Sequence, residues 1–333
     1  MANLRDVRRD AVFKAETLLA DLDIGAAERV RIFDVIEDQS VWLTFEPLDR
    51  LFGWYQRVDQ AAGMVINASH PAALQRFTAA HELGHHLLEH GASLDDEHAI
   101  IDGGQGNDPQ EVAAHTFAAN LLMPLAAVEH HLRRLGLDPA RPDITPVAAY
   151  HLSVELGVSY AATVVQLASL NKLAWQEVPS LRRARPLALK EQLVGQGPQY
   201  SRAAVWPLAA TDNGRHLLVD TGDELYLHLE EIRSSGYRWM PADATLEGFS
   251  LLDDRLEGAT EIDPRYGDAR TRRLVFKAVN PGPRLVIVDL RHPWEPDGEP
   301  LERFALAIDI EGPRISPVGR GVSVNQHPQL VAA

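Results

Sequence analysis

Apolar residues recur along this chain in two rhythms, and the change falls near Ser201. Before it, they return three and four residues apart. Phe77, Ala80, Gly84, Leu87 and Leu88 form one such stripe, the core-facing side of a helix. Pro71 suits the first position of that helix, with Ser69 or His70 as its cap. Upstream, residues 41–45 and 64–66 read as short strands. A second helix starts by Glu111, carries Ala114, Ala118, Leu121 and Leu122 on the same face, and ends at Met123-Pro124. Residues 145–156, the turn Gly157-Val158-Ser159 and residues 160–170 outline a helix-turn-helix. Its second helix holds Val164, Val165, Leu167 and Leu170 and is poor in Arg and Lys, so the pattern predicts packing rather than DNA reading.

Residues 175–199, with Pro179, Pro186, Pro198 and the basic run Arg182-Arg183-Arg185, read as a linker region. Beyond Ser201 the rhythm is alternation. Leu225, Leu227 and Leu229 alternate with Glu224, Tyr226, His228 and Glu230. Leu274, Phe276 and Ala278 repeat the pattern, as do Phe304, Leu306, Ile308 and Ile310. Short strands between Gly, Pro and Asp turns predict a mostly β second domain, a sandwich. The predicted organisation is a domain at 1–175, a linker at 176–200, a β domain at 201–315 and a tail at 316–333.

The first helix also carries chemistry, in the run His81-Glu82-Leu83-Gly84-His85. Histidines four apart share a helix face, so both imidazoles can close on one metal ion. Glu82, beside the first histidine, can reach water at that ion and take its proton. A catalytic zinc needs a third protein ligand and an open position, and Glu111 is the best candidate. The alanines beside Glu111 and the small Gly84 would let the two helices approach closely. Zinc is the usual ion for two His and one Glu, and manganese also fits the ligand types. Blander readings stand beside this one: His81 and His85 as core histidines, Glu111 as a solvated helix residue. His86, His90 and His115 read as surface groups or groups behind the ligands. The Asp- and Gly-rich stretch 91–110 lacks the ligand spacing of an EF-hand and reads as a flexible loop.

A length of 333 residues suffices for two full cores. The formal net charge of −15 argues against nonspecific binding to nucleic acid. The absence of cysteine excludes disulfides and thiolate ligands. The N-terminus reads as a charged amphipathic helix rather than a signal segment, and no run approaches the roughly 18 apolar residues of a membrane span. The expectation is a soluble, cytoplasmic protein with no membrane and no direct nucleic-acid partner.

The residues Gln75-Arg76-Phe77-Thr78-Ala79-Ala80-His81-Glu82-Leu83-Gly84-His85, then Glu111, then Phe117-Ala118-Ala119-Asn120-Leu121-Leu122-Met123-Pro124, resemble the ImmA/IrrE metallopeptidase family. The resemblance covers about the first half of the chain. It implies that His81, His85 and Glu111 bind the metal and that Glu82 is the general base. It also implies a substrate, since members cleave helix-turn-helix repressors and so regulate transcription of phage, mobile-element or stress-response genes. His115 stands where the family often has Asn or Asp.

A second resemblance covers roughly residues 217–312. Gly222-Asp223-Glu224-Leu225 leads into a strand, then comes Arg233-Ser234-Ser235-Gly236-Tyr237-Arg238-Trp239, and later Arg291-His292-Pro293-Trp294-Glu295. This is similar to chagasin-like inhibitors of papain-type cysteine proteases, which have an immunoglobulin-like fold. It implies docking loops at Ser234, Ser235, Gly236, Tyr237, Arg291, Pro293 and Trp294. Serines replace the family's threonines, Ile232-Arg233 replaces its Asn-Pro, and the middle loop near Tyr266-Gly267-Asp268 keeps only part of its glycine pattern. Two readings of the loops stay open: inhibition of a cysteine protease, or a retained fold that docks another protein. Gly236, Tyr237, Trp239, Pro293 and Trp294 could also simply brace turns and fill a core.

The expected fold class is α+β: a zincin-like metallopeptidase domain with a helical subdomain, then an all-β immunoglobulin-like sandwich. The expected function is a zinc metalloendopeptidase cutting a helix-turn-helix repressor, with His115, Tyr150 and Tyr160 as candidates by type for stabilising the oxyanion. The alternative is a binding module that inhibits papain-like proteases, its metal site structural or vestigial. A third reading makes the β domain a sensor that gates the peptidase.

Overall fold

The computed structural model describes residues 3–49, 51–59, 61–90, 93–96, 108–195, 203–257, 269–295 and 298–314. It has two compact units, one reaching Pro186 and the other spanning Leu187–Pro313. The first mixes helices with one sheet, and the second is built mainly of β sheets.

In the first unit, helices α1 (Leu4–Asp21) and α2 (Ile32–Asp38) precede strands β1 (Trp42–Glu46), β2 (Leu51–Val58) and β3 (Ala61–Asn67). Helix α3 (Ala72–Leu87), strand β4 (Ser93–Asp96) and helix α4 (Pro109–Leu122) follow. The sheet order is β1-β3-β2-β4, with β1 parallel to β3 and the other pairs antiparallel. The expected strands at 41–45 and 64–66 are β1 and β3. Between them in sequence, but on the far side of β3 in the sheet, lies β2, which the pattern did not reveal. Its register shifts between Leu51 and Gly53, so Phe52 and Gly53 are both buried and simple alternation is lost.

The start of α3 differs in detail from expectation. Pro71 is itself the cap, and no capping side chain serves the helix. Gln75 instead reaches back, its Nε2 donating to the carbonyls of His70 (2.9 Å) and Ala68 (3.2 Å). Buried Asn67, at the end of β3, donates to the carbonyls of Leu48 and Leu51 at 2.7 and 2.8 Å and accepts from Ser69 N at 2.9 Å. These bonds tie the strand to the helix that carries the histidines.

Helices α5 (Leu125–Arg134), α6 (Pro146–Leu156), α7 (Tyr160–Ser169) and α8 (Val178–Arg182) complete this unit. Thr145 and Ser159 cap α6 and α7, Gly157 takes the left-handed conformation between them, and the helices bend by 103°. Val164 and Leu167 are buried, so α7 packs its apolar face inward as its composition predicts. One expectation needs correction: α4 and α5 together, Pro109–Arg134, are long and apolar enough to cross a membrane. Of its 18-residue apolar stretch, 61% is buried inside the protein, the behaviour of a core helix.

The stretch read as a linker carries α8 and then α9 (Pro186–Val194). Val194 packs with Val205, Tyr226 and Val275, so apolar positions spaced along α9 have a β core to cover. The β unit contains β5 (Val205–Ala209), β6 (His216–Asp220), β7 (Glu224–Ile232), β8 (Arg238–Pro241), the short helix α10 (Asp243–Leu246), β9 (Phe249–Glu257), β10 (Ala269–Ala278), β11 (Gly282–Arg291) and β12 (Glu302–Glu311). Two four-stranded sheets result, ordered β5-β7-β10-β9 and β6-β12-β11-β8. The apolar residues of β7, β10 and β12 named above are all buried, as their period predicts, whereas Glu224 and Tyr226 on the other face of β7 are buried as well, Tyr226 beneath Val194 of α9. Tyr266, Gly267 and Asp268 lie outside the described residues.

Candidate metal centre and an exposed aromatic stack

Helix α3 turns its histidines inward. His81 and Glu82 are 0% exposed and His85 is 1% exposed, while Glu111 in the first turn of α4 is 25% exposed at its side chain. His81 Nε2 lies 3.2 Å from Glu111 Oε2, and His85 Nε2 lies 3.4 Å from Oε1 of the same carboxylate. The two Nε2 atoms are 3.1 Å apart. Hydrogen bonds from His81 first and His85 second, against the opposing effect of burial, hold the Glu111 carboxyl well below the usual carboxylate range.

One ligand atom from each residue falls within 4.8 Å of the others, so the group can hold a metal ion. The chemistry of the set fits one. Two neutral imidazoles cannot point lone pairs at each other in a buried site without a shared proton or a cation between them. A carboxylate facing both supplies the negative charge that a divalent cation requires.

Close approach of α3 and α4 depends on Gly84. A Cβ there would stand 3.1 Å from Ala114 Cα and 3.2 Å from the Ala114 carbonyl. The expected match of a glycine with alanines is therefore present. Gly53 plays a related part that the sequence pattern did not disclose. A Cβ on it would meet Thr78 Cγ2 at 2.7 Å and Glu82 Oε1 at 3.2 Å, so β2 can lie against Glu82 only as glycine.

The neighbouring histidines divide into separate environments. His86 Nδ1 is 2.9 Å from the Tyr55 hydroxyl, whereas His90 Nδ1 is 3.1 Å from His85 Nδ1. Burial, and then the neighbouring His85, push His90 down to about 4. Burial pushes His115 down to about 3, with His81 adding to the shift. The His115 ring lies 6.4 Å from that of His81, and its Nδ1 has no hydrogen-bond partner among the described residues. His115 also lines a cavity of about 750 Å³ together with Phe77, Ala119, Met123, Val165 and Gln166. The Tyr160 hydroxyl is engaged by the Leu181 carbonyl at 3.0 Å.

In the β unit, the two sequence-selected loops meet. Ser234 and Ser235 are exposed in a short turn, where Ser235 Oγ donates to the Ile232 carbonyl at 2.6 Å and accepts from Tyr237 N at 3.2 Å. Tyr237 stacks on His292 at 3.9 Å, and His292 on Trp294 at 4.5 Å. His292 Nδ1 donates to the Gly236 carbonyl at 3.1 Å. Gly236 has φ +78°, and a Cβ on it would be 2.9 Å from the Trp294 ring. Trp294 is 67% exposed. His292 thus joins the loops, a role that spacing alone did not single out.

Other selected residues serve the fold. Arg291 pairs with buried Asp289, which Arg303 Nε also reaches at 2.7 Å. Trp239 is buried, and its Nε1 donates to the Glu230 carbonyl at 2.8 Å, so it fills the core rather than the loop surface. Pro293 lines a shallow cavity with Gly236, Tyr237 and Arg238.

Comparison with known proteins agrees with this division. Residues 36–168 match the family model of the IrrE N-terminal-like domain, Peptidase_M78. Residues 219–308 match the Chagasin family peptidase inhibitor I42. No curated protein matches the chain. Among solved structures, the cysteine protease inhibitor EhICP2 from Entamoeba histolytica is 21% identical, covering 32% of this chain and 96% of its own, at a TM-score of 0.29. Amebosin is 17% identical over 32% of this chain and 97% of its own, at a TM-score of 0.28. PbICP-C, in its complex with falcipain-2, is 13% identical over 33% and 90%, at a TM-score of 0.21. The chain thus joins an IrrE N-terminal-like domain of the M78 peptidase family to a chagasin-family domain.

Proposed function

We propose that this chain is a zinc-dependent metalloendopeptidase with a zincin-like domain at 1–175 and an immunoglobulin-like protein-binding domain at 201–315, joined through residues 176–200, which carry α8 and α9. The convergence of His81 Nε2, His85 Nε2 and the Glu111 carboxylate at 3.1–3.4 Å carries the reading. Two imidazoles and a carboxylate suit zinc and leave a position open for water. Manganese also fits these ligand types. When bound, the ion supplies polarisation of the scissile carbonyl and acidifies water.

His81, His85 and Glu111 hold the ion. Glu82, adjacent in sequence to His81 and fully buried, takes a proton from the attacking water and returns it to the leaving amine. His115, beside His81, is the candidate that would donate to the developing oxyanion. The cavity next to it has room for a substrate side chain flanking the scissile bond. The substrate proposed is a helix-turn-helix repressor in the cytoplasm, on the strength of the family resemblance. Mixing the chain with such a repressor, with and without chelator, tests this. Metal-dependent cutting at one position is expected, and chelator-insensitive cutting would overturn it.

A second reading rests on a different observation, the stack in which half-buried Tyr237 and His292 support the exposed Trp294. Aromatic side chains held rigid at a surface are strong anchors for a protein partner. On this reading the β domain grips a papain-like cysteine protease and the metal site is structural. Inhibition of papain by the full chain in the presence of chelator would favour it over the first.

A further inference from the structure

The C-terminal end of α3 closes in a way that bears on His85. Glu89 N donates to the His86 carbonyl at 3.3 Å and His90 N to the His85 carbonyl at 3.0 Å, with Glu89 left-handed at φ 58°. These are the two bonds of a Schellman motif, in which the residue at the sixth position returns over the first. The side chains so paired are usually apolar. Here they are two imidazoles, with Nδ1 facing Nδ1 at 3.1 Å and ring planes inclined by 70°.

Two nitrogens at that distance need one proton between them, and the metal decides which ring carries it. Neutral His85 bound through Nε2 must keep its proton on Nδ1, so His90 is left as the acceptor. We propose that His90 is a positioning residue: through the helix-ending turn it accepts the Nδ1 proton of His85 and so fixes the tautomer and ring angle that present Nε2 to the ion. The inference rests on the metal reading of His81, His85 and Glu111. It accounts for the left-handed conformation of the chain at Glu89, which L residues rarely adopt. The return of His90 requires that conformation, whichever residue occupies position 89.

The test is zinc affinity of the full chain, measured by competition with a chromogenic chelator. His90→Ala should weaken zinc binding roughly 10–100-fold, the usual effect of removing the partner of a ligating imidazole. His90→Asn places a carbonyl oxygen where Nδ1 stood and should recover most of that loss. Glu89→Gly preserves the turn and should bind zinc like the wild type. Unchanged affinity in His90→Ala, or equal loss in the Ala and Asn variants, would overturn the proposal. Long-range nitrogen–proton spectra of the zinc-loaded wild type supply a readout that no variant can confound. They should show Nδ1 protonated on His85 and bare on His90, and the reverse would overturn the assignment. A folded wild type that takes up no zinc would overturn the metal reading itself, and this inference with it.

Discussion

The candidate metal cluster of the first unit and the aromatic stack of the second place reactive-looking residues in opposite settings. His81, Glu82 and His85 are shielded from water, whereas Trp294 stands mostly in it. A group that moves protons gains from a dry, fixed environment, because electrostatic interactions there are strong. A group that docks a partner must stay open, and its strength comes from being rigid before contact. Both regions nevertheless use one device. A glycine lets neighbouring parts close in: Gly84 brings α4 and Glu111 towards the histidines, and Gly236 lets the Trp294 ring lie over its own loop. Small residues at these places are therefore part of the sites.

The largest effect is expected on removing Glu111. Glu111→Ala should cost about 3 kcal/mol of zinc affinity, one ligand's share of a tightly held ion, or about a hundredfold or more. Zinc titration checks it, and binding by the β unit to any protease partner should be unaffected. The mirror experiment is Trp294→Ala. It should weaken capture of a papain-like protease by about 2 kcal/mol, roughly thirtyfold, while zinc uptake stays as in the wild type. Loss of zinc in this variant would contradict the separation of roles.

A smaller effect concerns acid. In the metal-free protein, burial holds His115 at about 3 and His90 at about 4, below the ordinary value of 6.5. The unfolded chain therefore binds more protons than the folded one between those values and 6.5. Stability rises with pH across that window and falls away as the pH drops from 6.5 towards 4. Urea unfolding of chelated protein should give a lower midpoint at pH 5 than at pH 7, with an unfolding free energy lower by roughly 1–2 kcal/mol from His115 alone. His115→Phe should remove its share of the difference and leave that of His90. A midpoint that is equal or higher at pH 5 in the wild type would contradict the sign.

Local spacing made the first region legible. His81 and His85 share a helix face by period alone, and Glu111 lies on the small-residue face of a later helix. The period of two likewise located β7, β10 and β12. What the sequence left hidden depends on contacts between segments far apart or on turn geometry. Gly53 matters because β2, with its shifted register, runs against Glu82. His90 matters because Glu89 turns left-handed and brings its ring back over His85. His292 matters because two loops more than fifty residues apart meet at the Gly236 carbonyl. The helix α9 escaped notice because prolines and a basic run dominate the composition around it.

On the function proposed above, Glu82 moves the proton at an ion held by His81, His85 and Glu111. The most direct measurement compares wild type and Glu82→Gln at matched zinc occupancy, following the cutting of a helix-turn-helix repressor by mass spectrometry. One cut by the wild type is expected, with a rate at least about a hundredfold lower in the variant and zinc still bound. Cutting by Glu82→Gln at the wild-type rate would contradict it.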